Sequence, residues 1–143
     1  MRDIDRKYLY RTVQEFYHEQ LVEYRENTDG SISVVLSKEG ERVAFTVSLD
    51  TLAIPTPSRW DKRWRLVMFD IPEKKRVGRN ALRQKLVELG FKEWQHSIFV
   101  YPYPCEKEID FVIEVFDLRP YVRYAEVIYL TNEASLKLDF QLY

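Results

Sequence analysis

A single aspartate closes the apolar run RLVMFDI, and Asp70 is followed at once by Ile71, Pro72 and a strongly basic segment. A carboxylate at the C-terminal end of a strand is well placed to hold a hard divalent ion, because magnesium takes one or two protein oxygens and keeps several waters. Such an ion activates water and neutralises charge on a phosphate. In a two-fold dimer, two copies of Asp70 would share one magnesium or manganese ion beside a phosphodiester, making Asp70 both metal ligand and catalytic residue. The alternative is structural: Asp70 accepts hydrogen bonds from backbone amides of its turn, or pairs with Arg79. No second acidic residue stands at a convincing spacing, and the nearest is Glu73.

The basic residues offer a second chemistry. Arg76, Arg79 and Arg83 share one sector of an expected helix beside Leu82, Leu86 and Leu89. There they can follow a phosphate backbone, in contacts that position a protein without reading sequence and that weaken with salt. Their alternative is ion pairing with an acidic helix or a neighbouring subunit. Arg6, Lys7 and Arg11 occupy the first turns of an N-terminal helix and are further candidates for nucleic-acid contact, the alternative being a helix that docks on the sheet. Trp60, Trp64 and Trp94 can stack on bases, but packing is the commoner fate of tryptophan. One cysteine, Cys105, excludes an intrachain disulfide and a cysteine-based zinc cluster, and reads as a helix cap or packed thiol. His18 and His96 lack metal-ligand spacing.

Net charge is −1, yet it is unevenly spread. From Arg59 to Lys85 ten basic residues stand against three acidic ones, and from Glu106 to Asp117 five acidic residues stand against one lysine. A basic face suited to a polyanion is therefore expected, with an acidic helix turned elsewhere. No apolar run reaches the roughly 18 residues of a membrane span, and the N-terminus has no apolar signal core, so a cytoplasmic location is expected.

Several elements must position these residues. Asp5 is expected to cap a helix from about Arg6 to Gln20, with Leu9, Val13 and Phe16 on one stripe. LVEYREN and SISVVL flank TDG as a hairpin in which Gly30 supplies a positive φ, and Ser37 is placed to cap a short helix through KEGERVAF. Pro55 and Pro57 mark a linker. RLVMFDI is apolar on both alternating faces, as in a central strand, and a helix over Val77 to Leu89 is stopped by Gly90. FKEWQHSIFVYPY reads as a strand pair broken near His96; Ile109, Val112, Ile113 and Phe116 have helical spacing, and YAEVIYLT reads as the last strand. The order β, α, β(β), α, β predicts a ferredoxin-like α+β sandwich with both helices on one sheet face. The other face is apolar too, and a second subunit is expected to cover it. The expected division is residues 1–52, a linker over 53–62, and 63–143.

WDKRWRLVMFDIPEKKRVGRNALRQKLVELGF and WQHSIFVYP resemble the central and C-terminal region of phenylacetate-operon repressors, the PaaX-type regulators. The same segment resembles the CRISPR-associated Cas-two family, in which a strand ending in an aspartate precedes the first helix and a Q-x-S-hydrophobic-F strand comes later; here these are Asp70 and Gln95, Ser97, Ile98 and Phe99. YRTVQEFYHEQLVEYRENTDGSISVVLSKEG is similar to the recognition helix and wing of a winged helix. A complete winged helix has two more helices ahead of the recognition helix, and five residues precede Arg6 here, so either a truncated chain or an altered mode of DNA binding is expected. The resemblance implies a nucleic-acid-binding transcriptional regulator, acting on DNA or RNA as a homodimer through the Cas-two-like domain. The alternative it implies is a metal-dependent endonuclease, or a DNA-holding adaptor in spacer acquisition with a CRISPR integrase as partner.

Overall fold

The computed structural model describes residues 6–142. The expected cap Asp5 lies outside them, as do the side chains of Arg6 and Leu9. The chain divides into two units, Met1–Thr51 and Leu52–Tyr143.

The first unit runs α1 (Arg6–His18), β1 (Val22–Glu26), β2 (Ile32–Leu36) and α2 (Lys38–Asp50). β1 and β2 pair antiparallel from Val22 opposite Leu36 to Glu26 opposite Ile32. Gly30 has φ +83° in the connecting turn, where a Cβ would be strained. Ser37 caps α2, its Oγ accepting the Gly40 N–H at 2.9 Å and donating to the Gln20 carbonyl at 2.5 Å. The cap therefore fixes the helix to the α1–β1 loop. A Cβ on Gly40 would lie 1.9 Å from the Leu21 carbonyl oxygen, so only glycine lets the first turn of α2 rest on that backbone. Helix α2 continues well past KEGERVAF, to Asp50.

The second unit runs β3 (Trp64–Phe69), a 3-10 turn (Glu73–Lys75), α3 (Arg76–Glu88), β4 (Lys92–Gln95), β5 (Ile98–Tyr101), α4 (Glu106–Val115), β6 (Val122–Val127) and α5 (Glu133–Asp139). Strand order is β4-β5-β3-β6 with every neighbour antiparallel, which is the ferredoxin-like arrangement. Gly90, at φ +100°, ends α3 as its position predicts. α3 buries Leu82 and Leu86, and α4 buries Ile109, Val112 and Ile113, forming the core with Val67, Phe69 and Phe99 of the sheet.

The opposite face departs from expectation. Trp64, Leu66 and Val100 on that face pack with Leu130 and Leu136, and Trp60, Phe140 and Leu142 add to the cluster. The chain's own C-terminal segment and α5 thus cover a surface expected to meet a second subunit. Trp64 Nε1 donates to Glu133 Oε2 at 2.9 Å, and Lys92 meets Asp139 at 3.3 Å, holding α5 at both ends. The helix escaped the sequence because Leu136, Leu138, Phe140 and Leu142 alternate with polar residues, the period of a strand. All three tryptophans pack: Trp64 is buried, its ring 4.8 Å from that of Trp60, and Trp94 lies against the same cluster.

Arg65 is 2% exposed on the face toward the helices. Its Nη1 donates to Asp61 Oδ1 at 2.8 Å and to the carbonyls of Arg63 at 3.0 Å and Pro102 at 2.7 Å; Nε donates to Glu126 Oε1 at 3.3 Å. The hydrogen bond to Arg65 holds the Asp61 carboxyl below the ordinary carboxylate range. The stability it contributes is present above that range and is lost as acid protonates the carboxylate. In Arg65→Met the two carboxylates stay within reach of water, while the Pro102 carbonyl loses its charged donor. Denaturant titration should show a loss of about 1–3 kcal/mol; wild-type stability in that variant would mean the guanidinium ties nothing together.

Candidate functional site

Three segments meet at the C-terminal end of β3. The Asp70 N–H donates to the Tyr121 carbonyl at 3.0 Å, and the Phe69 N–H donates to the Ser97 carbonyl at 3.1 Å. The two-residue turn His96–Ser97 joins β4 to β5, with Ser97 at φ 60°. A notch of about 600 Å³ opens here, lined by Asp70, Arg79, Asn80, Arg83, His96 and Ser97 over Phe69 and Ile71. Asp70 also stands on the rim of a second notch of about 610 Å³, which Tyr121 and Arg123 help to line.

Among the described residues, the exposed Asp70 carboxylate has no hydrogen-bond or ion-pair partner. Arg79 turns instead to Glu73 at 3.2 Å, and the same carboxylate takes Arg76 at 3.6 Å. Arg83 Nη1 donates to Glu93 Oε1 at 2.6 Å, and its guanidinium lies 5.5 Å from the ring centroids of both Phe69 and Phe99. Stacking on two rings and a short charge-assisted bond fix the position of Arg83. The hydrogen bond from Arg83 holds the Glu93 carboxyl below its usual range. None of the three arginines pairs with α4, the acidic helix, and their partners lie within a few residues of the notch.

The structure brings Arg79, Arg83 and Asp70 together and leaves Arg76 outside the notch, on the exposed side of α3. Lys7 and Arg11 lie in the other unit, both exposed, with Arg11 reaching Glu15 at 3.6 Å. Ser97 stands out in the sequence only within the Q-x-S-hydrophobic-F resemblance, and Asn80, Tyr121 and Arg123 do not stand out. Asn80 follows Arg79 on α3, and pairing places the others: Met68 stands opposite Arg123 on β6 and opposite Ile98 on β5.

A divalent cation would need oxygen donors here. One chain supplies one carboxylate between two guanidiniums, and among the described residues no group of three or more His, Cys, Asp or Glu side chains is placed to hold a metal. A single copy therefore offers the lower limit of the one or two carboxylates that magnesium takes, with two guanidiniums beside it. Charge in the notch favours an anion, with Asp70 as its opposing boundary.

Residues 57–138 match the family model described as the PaaX protein central Cas2-like domain. The chain belongs to the PaaX family. The match spans the whole sheet of the second unit, both of its packing helices and most of α5. No curated protein matches the chain. Among the described residues no helix is long and apolar enough to cross a membrane.

Within this PaaX-family domain Cys105 is a packed thiol. It is the N-cap residue of α4, its carbonyl accepting the Ile109 N–H at 3.0 Å while its thiol makes no capping bond; it is buried, and its Sγ lies 4.0 Å from the Tyr124 hydroxyl. Burial pushes its pKa up to about 12. Thiolate is therefore scarce until pH nears that value. Iodoacetamide at pH 8 should leave the folded protein unmodified by mass spectrometry while alkylating it fully in denaturant; rapid native alkylation would contradict the buried placement.

Proposed function

We propose that this PaaX-family chain is a nucleic-acid-binding transcriptional regulator that acts as a homodimer. The observation carrying the proposal is the exposed basic start of α1: Lys7 and Arg11 stand on a helix with no acidic residue in its first turn, followed directly by a two-stranded hairpin. Helix then hairpin is the order of a recognition helix and its wing, the mode in which a helix N-terminus meets the major groove. Arg6 begins the same helix and belongs to the same proposal. In the second unit, Arg79, Arg83 and Arg123 give the end of the sheet a cationic rim suited to phosphate.

Fluorescence anisotropy with duplex DNA, single-stranded DNA and RNA over a salt series tests this. Binding should weaken steeply with salt, and Lys7→Ala with Arg11→Ala should flatten the slope of log K against log salt by about one for each phosphate the protein no longer neutralises. Absence of salt-sensitive binding to any of the three would overturn the proposal.

One observation favours a second reading, a Cas2-like endonuclease or a DNA-holding adaptor working with a CRISPR integrase. The carboxylate of Asp70 ends the central strand without an intrachain partner among the described residues. In a two-fold dimer, a magnesium or manganese ion there would be shared by Asp70 of both copies. Incubating labelled DNA and RNA with either metal separates the readings: cleavage lost in Asp70→Asn supports the nuclease, and binding without cleavage, unchanged in Asp70→Asn, supports the regulator.

A further inference from the structure

The two edges of the four-stranded sheet are unlike. β4 is four residues long, carries Lys92 and Glu93, and is interrupted by a bulge between Glu93 and Gln95. Short length, charge and a bulge are the features that keep an edge from templating another chain. β6 has none of the three protections in full: it is six residues long and pairs with β3 in unbroken register from Val122 to Val127.

Hydrogen-bond parity fixes what β6 offers. The Asp70 N–H goes to Tyr121 at the start of β6 and the Phe69 N–H goes to Ser97 before β5, so alternate residues of β3 serve alternate neighbours. Continuing the ladder, Arg123, Ala125 and Val127 turn their backbone groups to β3. Val122, Tyr124 and Glu126 turn theirs outward, where the Arg123 guanidinium donates to the Val122 carbonyl at 3.1 Å. Among the described residues no other backbone group meets that outer edge. Two of the most exposed apolar side chains of the unit follow it directly, Ile128 at 79% and Tyr129 at 66%.

We infer that the outer edge of β6 binds the same edge of a second copy, antiparallel about a two-fold axis through Ala125, extending the sheet across the dimer. The inference rests on the homodimer reading above. Outward backbone groups must oppose outward groups, so the axis must pass through a residue rather than between two. An axis at Arg123 would set Arg123 against its own copy, and one at Glu126 would set two carboxylates together. An axis at Tyr124 sets Val122 against the partner's Glu126. An axis at Ala125 sets Tyr124 against the partner's Glu126, a hydroxyl facing a carboxylate, and Arg123 against the partner's Val127, and it brings Ile128, the first residue beyond the strand, up to the partner's end of β6.

The axis gives the test its geometry. Ala125 would face its own copy in a non-hydrogen-bonded pair, with Cα atoms about 4.5 Å apart, inside the range a disulfide spans. Ala125→Cys in the 143-residue chain should crosslink to a dimer under mild oxidation, while Val77→Cys, on exposed α3, should not; the buried native Cys105 stays silent in both. Ile128→Lys with Tyr129→Lys alters only exposed side chains and should bring the light-scattering mass from dimer to monomer at equal concentration. A dimeric mass with no crosslink in Ala125→Cys and no response to the double lysine variant overturns the β6 interface and leaves the homodimer reading intact. A monomeric wild type overturns both.

Discussion

A buried guanidinium in a sheet interior must be met by charge and hydrogen bonds, and this requirement organises the second unit. Arg65 draws in Asp61 from the segment before β3, Pro102 from the end of β5 and Glu126 from β6. One side chain thereby aligns the central strand with both neighbours. Slipping β6 by one residue would carry Glu126 to the other face and leave the cation short of a partner. The register so fixed, Arg65 opposite Glu126 and opposite Tyr101, propagates along β3 to its far end. There it decides which carbonyls receive the amides of Phe69 and Asp70. The notch is a consequence of an ion pair at the opposite end of the strand.

That notch is held by two different means. Arg83 is fixed by a short bond to Glu93 and by two phenylalanine rings, whereas Arg79 shares the more exposed Glu73 with Arg76. Ion pairs with exposed carboxylates are weak and exchange readily with another anion. Arg79 and Arg76 can therefore turn to phosphate at little cost, while Arg83 keeps its position and shapes the floor. Asp70, unpartnered among the described residues, sets the limit of negative charge that can enter.

Much of the ferredoxin-like unit was legible because its core elements carry strong periodicities: RLVMFDI is apolar on both faces, and α3 and α4 each bury one regular stripe. α5 was not legible, since a seven-residue helix whose apolar residues alternate reads as a strand until Trp64 and Leu130 are seen beneath it. The site was legible in part. Asp70, Arg79 and Arg83 stand out by type and by position after the strand. Tyr121 and Arg123 do not, because only cross-strand register brings them to Asp70, and register is a property of two segments at once. The partners of the arginines were missed for a related reason: Glu93 lies on β4, ten residues from Arg83 in sequence and adjacent to it only after the chain reverses.

The first unit is built differently. Few of its described side chains are buried, Val22 and Ser37 among them, while Ile32, Val34 and Leu36 leave one side of the hairpin open. A hairpin with so few buried side chains opens locally at a free energy below that of global unfolding, so its amide protons should exchange sooner than those of β3 and β5. A ligand held by α1 and the hairpin would then bind only the closed fraction, and its apparent affinity would carry that population as a factor. Affinity in this half of the chain is in that way coupled to folding, and the close approach of Gly40 to Leu21 helps set it from a distance.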